Sequence, residues 1–198
     1  MAHPELSLET LQDALKLLED RGAPPELVTH CRLVAETASE LVDRLSEVGE
    51  MLSERSERGL GVLRDDLGVS LRQEVVLRAA LHDAGKIRVP AELRHPGNDH
   101  EVAGEALLRD LGVPPEVARI CRVHGDWESF DDLEAFELIA ILADKLWRGR
   151  RVEALEERVV RSLVGEDWVG AYAECLDVFD AIAEGAEARL EEAAAARR

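Results

Sequence analysis

Six side chains in this sequence carry groups that bind cations or exchange protons, and they stand where helices ordinarily bury carbon. His82 and Asp83 sit side by side in "LHDAGK", closing the apolar stretch "EVVLRAAL". His82 follows Ala79 by three positions and Val75 by seven, while Asp83 follows Ala79 by four and Val76 by seven. At the helical period both share a face with those apolar residues. The same spacing recurs elsewhere. His100 precedes Ala103 by three and Leu107 by seven, and His124 follows Ile120 by four and Val117 by seven. His30 lies three after Leu27 and four before Val34, and Asp144 lies three after Ile141 in the nearly all-apolar "LIAILADKLW".

One inward histidine is ordinary, since a hydrogen bond satisfies it. Buried carboxylates are harder to accommodate, because an unpaired charge away from water is costly. Four histidines and two aspartates on inward faces call for a common cause. A bound metal supplies one, since neutral imidazole and carboxylate are standard ligands for Fe, Mn, Co and Zn ions. The alternative is a set of separate His–Asp hydrogen-bonded pairs.

The elements that must position these groups are helical nearly throughout. Hydrophobic residues make up 46% and aromatics only 4%, with Ala, Leu, Val and Glu abundant, a mixture that favours helix over strand. Leu8, Leu11, Leu15 and Leu18 predict a first amphipathic helix stopped by "RGAPP". Leu27, Cys31, Val34, Ala38, Leu41, Leu45 and Val48 predict a second, with Pro24 and Pro25 at its entry. Residues 52–70 read as a frayed end, a loop and one short turn. A third helix is expected over 71–84, then a loop through "GKIRVPAELRHPGN". Further helices follow at 99–111, 115–124, 130–148 and 152–164. A last helix over 167–195 carries Tyr172, Leu176, Phe179, Ile182, Ala186 and Leu190 inward. The expectation is an all-α bundle of about seven to eight helices in a single domain spanning 1–198.

Charge and cysteines narrow the class. A formal charge of −18 argues against wrapping long nucleic acid, although a metal or local basic cluster can reverse the field at one pocket. "DKLWRGRR" is such a cluster. Cys31, Cys121 and Cys175 are odd in number and form no CxxC pair, so they read as core residues in a reducing compartment. No apolar run suits a bilayer and no signal-peptide pattern is visible at the start, so a cytoplasmic protein without membrane partners is expected.

The order of the inward polar residues resembles the HD superfamily of metal-dependent phosphohydrolases. The family pattern is a histidine, a His-Asp doublet and a distant aspartate on an all-α bundle. Here these are His30 in "VTHCRLVAETA", His82 and Asp83 in "LHDAGK", and Asp144 in "ILADKLW". The two-metal branch adds two histidines between doublet and final aspartate, matched by His100 in "NDHEVAGEALL" and His124 in "ARICRVH". The resemblance covers about 27–148, with the helices of 152–195 beyond it.

It implies that His30, His82, Asp83 and Asp144 hold one divalent ion, and His100 and His124 a second, with Asp83 bridging. Two such ions would activate a shared water and clamp phosphoryl oxygens for in-line attack. Asp83 and Lys86 are the catalytic candidates. Lys86 would neutralise charge on the phosphate, or serve simply as a cation at a helix C-terminus. Lys145 and Arg148 share a side and are the further substrate-binding candidates, against the plainer reading of a solvated basic patch. Trp127 either stacks on a base or closes the bundle. Asp126 is a candidate to orient a ligand histidine. His95, in a loop, and His3, near the start, have no assigned role. The 52-residue gap from His30 to the doublet is longer than in compact members; the 52–70 segment is expected to account for it and to shape the pocket mouth.

The implied substrate is a phosphate ester or anhydride of a nucleotide. The pattern is similar to bacterial HD enzymes that split dinucleoside tetraphosphates, with nucleoside monophosphate phosphatases and cyclic-nucleotide or RNA-end phosphodiesterases as alternatives. A regulatory module that binds metal and nucleotide without turnover is a second class, and a homo-oligomer is compatible with either. A purely structural helical adaptor would leave the buried carboxylates unexplained.

Overall fold

The computed structural model describes residues 8–55, 65–165 and 168–197. Among them every regular element is a helix, as the composition predicts. The long elements are α1 (Leu11–Asp20), α2 (Pro25–Arg55), α3 (Asp65–Leu81) and α4 (Asp99–Asp110). Two single turns follow, α5 (Pro115–Ala118) and α6 (Ile120–Val123), then α7 (Ala135–Leu146), α8 (Glu153–Val164), α9 (Trp168–Glu184) and α10 (Ala186–Ala195). Short 3-10 helices cover Ala84–Ile87, Pro90–Leu93 and Trp127–Ser129. No described helix is long and apolar enough to cross a membrane.

Local chemistry sets several boundaries. Thr10 caps α1 and exchanges hydrogen bonds with Asp13 in a capping box. The chain turns out of α1 through Gly22, at φ 83°, a conformation cheap only for glycine. Pro25 opens α2, where a missing N–H costs nothing. Every apolar position predicted for α2, from Leu27 to Val48, is buried. Full burial of one such Leu or Val contributes about 1.5–3 kcal/mol, so this stripe is a large part of what holds the 31-residue helix to its neighbours.

The centre of the bundle is α2, α3 and α7 packed on one another. In α7 every residue from Glu137 to Asp144 is buried, as expected for a helix enclosed on all sides. Its start is fixed by Glu134 and Glu137, which form a capping box. Against this trio lie α4, which packs on the Ala84–Ile87 turn and on α6, and the C-terminal α8, α9 and α10.

Several elements differ from the sequence expectation. Helix α2 reaches Arg55 and α3 begins at Asp65, so the helices extend into the segment expected to be loop; residues 56–64 of that segment lie outside the described ones, as does His3. Helix α3 ends at Leu81 rather than 84, leaving His82 and Asp83 in a tight turn before the 3-10 helix. The expected loop after the doublet contains two 3-10 turns. The helix expected over 115–124 is broken at Arg119, and the one expected over 130–148 starts only at Ala135. The last predicted helix divides at Gly185, and α9 turns Ala171, Cys175 and Val178 inward, leaving Leu176 and Leu190 exposed. All three cysteines are free and buried, as expected.

Candidate metal centre

All six predicted residues line one cleft of about 610 Å³. Five of them are buried, and His30 retains 19% side-chain exposure at the cleft wall. They arrive from separate elements: His30 from α2, His82 and Asp83 from the turn ending α3, His100 from the first turn of α4, His124 from the end of α6, and Asp144 from α7.

Asp83 is the pivot. Its Oδ2 lies 3.1 Å from His30 Nε2 and 3.5 Å from His82 Nε2. Its Oδ1 lies 3.2 Å from His100 Nε2 and 3.5 Å from His124 Nε2, and makes no hydrogen bond among the described residues. The result is two groups with metal-ligand spacing, His30–His82–Asp83 and Asp83–His100–His124, sharing one carboxylate. Asp144 joins the first pair of histidines through Oδ1, 3.5 Å from His82 Nε2 and 3.8 Å from His30 Nε2.

The donor set shows whether these residues suit a cation. His82 Nδ1 donates to the Ala79 carbonyl at 2.8 Å, and His124 Nδ1 donates to the Cys121 carbonyl at 2.8 Å. His100 Nδ1 bonds Glu92 Oε2 at 2.5 Å. In each neutral ring the proton sits on Nδ1, so Nε2 presents a lone pair inward. His100 Nε2 and His124 Nε2 face one another at 3.4 Å, and with both rings neutral no hydrogen lies between them. Lone pairs and carboxylate oxygens converge with too few donors to satisfy them, which is the arrangement that divalent ions complete.

Without such ions, protons take their place only in part. Burial opposes a charged His82, but the Asp83 charge and bonds to Asp144 and Asp83 outweigh it and lift the ring to about 9. At His30 burial wins and the ring is pushed down. Burial also opposes the charge on Asp83 and Asp144, yet the surrounding imidazoles hold both carboxyls well below the usual range. The carboxylates remain anionic and ready to bind.

Two glycines permit this convergence. A Cβ on Gly85 would run into the His100 carbonyl and lie 2.6 Å from Gly104 N; a Cβ on Gly104 would lie 2.9 Å from Cys121 Sγ. The glycine of His-Asp-x-Gly-Lys and the glycine four after His100 thus form a close backbone contact that brings α4 up to the doublet.

Lys86 Nζ lies 2.5 Å from Asp83 Oδ2, and Lys145 Nζ lies 2.8 Å from Asp144 Oδ2. Arg148 approaches Asp144 Oδ2 at 3.9 Å, and all three cations line the cleft. Arg151 instead grips buried Glu156 and exposed Asp180, so this part of the basic cluster is structural. Trp127 is buried and outside the cleft lining, beneath Arg158; it closes the bundle rather than stacking on a ligand. His95 is exposed and away from the cleft.

Glu92 is the residue that sequence reasoning missed. It sits in the Pro90–Leu93 turn and accepts hydrogen bonds from the backbone N–H groups of Asp99 and His100, both at 3.1 Å, besides His100 Nδ1. It therefore caps α4 from outside, where Asn98 makes no side-chain cap. Asp126 also lines the cleft, but the bond orienting His124 goes to the Cys121 carbonyl.

An all-α bundle with a His/Asp cluster at the floor of a cleft defines a class of metal-binding helical proteins. A family model described as HD domain matches residues 27–184, and the chain belongs to that family. No curated protein and no solved structure matches the chain.

Proposed function

We propose that this HD-domain protein is a metal-dependent phosphohydrolase acting on a phosphate ester or anhydride of a nucleotide. The observation that supports it most is a set of three imidazoles, each held by its Nδ1 bond with Nε2 directed inward, around a carboxylate shared between two groups. His30, His82, Asp83 and Asp144 would hold one divalent ion, and Asp83, His100 and His124 a second. Such ions, when bound, supply Lewis-acid activation of water and of the phosphoryl group.

The chain's own groups do the remaining work. The carbonyls of Ala79 and Cys121 and the carboxylate of Glu92 hold the rings in the tautomer that presents Nε2. Lys86 stands beside Asp83, where it neutralises charge growing on phosphoryl oxygens. Lys145 and Arg148 approach from the α7 side and hold the substrate's phosphate.

The test is phosphate release by protein supplied with Mn, Fe, Co or Zn ions. The panel comprises nucleoside mono-, di- and triphosphates, dinucleoside polyphosphates, and cyclic or 2′,3′-ended nucleotides. Metal-dependent turnover abolished by Asp83→Asn supports the reading. Tight metal and nucleotide binding with no turnover on any substrate would assign the chain a regulatory role instead.

A further inference from the structure

We propose that α10, which lies beyond the residues matched by the family model, makes the cleft selective for substrates with a second phosphoryl group in series. Its Arg197 supplies the contact. This rests on the phosphohydrolase reading and names the substrate class within it, linked phosphates rather than a monoester.

Helix α10 is tied to the two helices that carry His30 and Asp144. The Arg189 guanidinium donates to the Trp147 carbonyl at 2.8 Å and the Leu146 carbonyl at 3.1 Å, at the C-terminal end of α7, and also to the Ile182 carbonyl. Glu192 pairs with Arg32, two residues along α2 from His30. Positions 189, 193 and 197 follow one another at four-residue spacing, and Ala196 keeps helical dihedrals past the end of α10. One face therefore anchors with Arg189, forms a buried wall with Ala193 and turns Arg197 to the cleft.

Charge distribution gives that wall a ligand. Lys86 and Lys145 are already paired with Asp83 and Asp144. No carboxylate among the described residues forms an ion pair with Arg197, which leaves its guanidinium open to an incoming anion. On the opposite side, where α4 and the end of α6 meet, the carboxylates are Glu101, lying over Gly125, and Asp126; Glu26 of α2 also lines the cleft, with the Arg94 guanidinium 4.0 Å away. The cleft is thus basic along α7 and α10 and acidic along α4 and α6. A chain of phosphates running from the His–Asp centre follows the basic wall, and a guanidinium matches phosphate through paired N–H donors.

The experiment compares binding of methylene analogues of AMP and ADP, in which CH2 replaces the ester and anhydride oxygens so that neither is hydrolysed, to metal-loaded protein by calorimetry. The unaltered protein is expected to bind the diphosphate about tenfold more tightly, the size of one charge-assisted contact. Arg197→Ala is expected to remove most of that preference, and Arg197→Lys to restore part of it. Circular dichroism checks that each variant keeps its helix content. An unchanged preference in Arg197→Ala, or no preference in the unaltered protein, overturns the inference. Because binding is read without turnover, absence of phosphate release would sink the phosphohydrolase reading while leaving this comparison readable.

Discussion

Replacing Gly85 with alanine tests whether the backbone contact beside the doublet is what assembles the centre. The added Cβ would lie 2.6 Å from Gly104 N and 2.8 Å from the His100 carbonyl carbon. Non-bonded heavy atoms settle at about 3.5–4.0 Å and the His100 carbonyl oxygen lies closer still, so α4 must retreat by about 1.5 Å. His100 Nε2 now sits 3.2 Å from Asp83 Oδ1. Metal–ligand distances tolerate only about 0.2 Å, so the retreat exceeds the tolerance several-fold at one group and leaves His30 and His82, on α2 and α3, in place. Overpacking of this kind costs about 1–3 kcal/mol, which a protein of ordinary stability survives. The expected variant is folded, has a lower urea midpoint, and carries one equivalent of metal where two are expected for the unaltered protein. Elemental analysis after dialysis and a urea titration measure both. A Gly85→Ala protein that retained two equivalents at unaltered affinity would show that the contact does not place His100.

Asp83→Asn should lose metal from both groups at once and drop turnover below detection, with helix content unchanged by circular dichroism. Glu92→Gln keeps an acceptor for the α4 backbone but removes the charge facing His100, so affinity for one of two metal equivalents should fall about 10–100-fold in an isothermal titration. In metal-free protein the folded value of His82, about 9, stands above its ordinary 6.5. Its contribution to stability is therefore complete below pH 6.5 and lost as pH rises through about 9. The same proton competes with metal, so metal affinity should climb with pH over that window, with proton release seen in weakly buffered titrations. Arg78 is buried, pairs with Glu74, donates to the Glu116 carbonyl at 3.3 Å, and lies 4.0 Å over the Phe136 ring. Arg78→Ala should lower unfolding stability by about 2–4 kcal/mol, and Arg78→Met should recover part of it by refilling volume, both read by urea melts.

The site was legible because each ligand candidate broke a helical pattern. His82, His100, His124 and Asp144 stand at positions where carbon is expected, and the structure gathers them with His30 in one cleft. Glu92 left no such mark. It lies in a 3-10 turn without periodicity, and its partner is eight residues away through a loop whose path no local rule gives. The start of α3 was missed because Gly68 and Ser70 lower helix propensity, yet the helix runs through both. The end of α3 was set three residues too late because hydrophobic spacing continues through His82 and Asp83, while the close approach of Gly85 to α4 winds the backbone into a tighter turn. The division at Gly185 went unseen because the alanine- and glutamate-rich sequence on either side is helical by propensity alone.

The single carboxylate between the two imidazole pairs also acts as a ruler. One oxygen of Asp83 faces each pair, so the spacing between the two pairs is written into a covalent group rather than only into the packing of five helical segments. Thermal breathing of α2 against α4 can lengthen individual contacts while that interval persists. A glutamate at this position, longer by one methylene, would displace its contacts to both pairs together instead of loosening one.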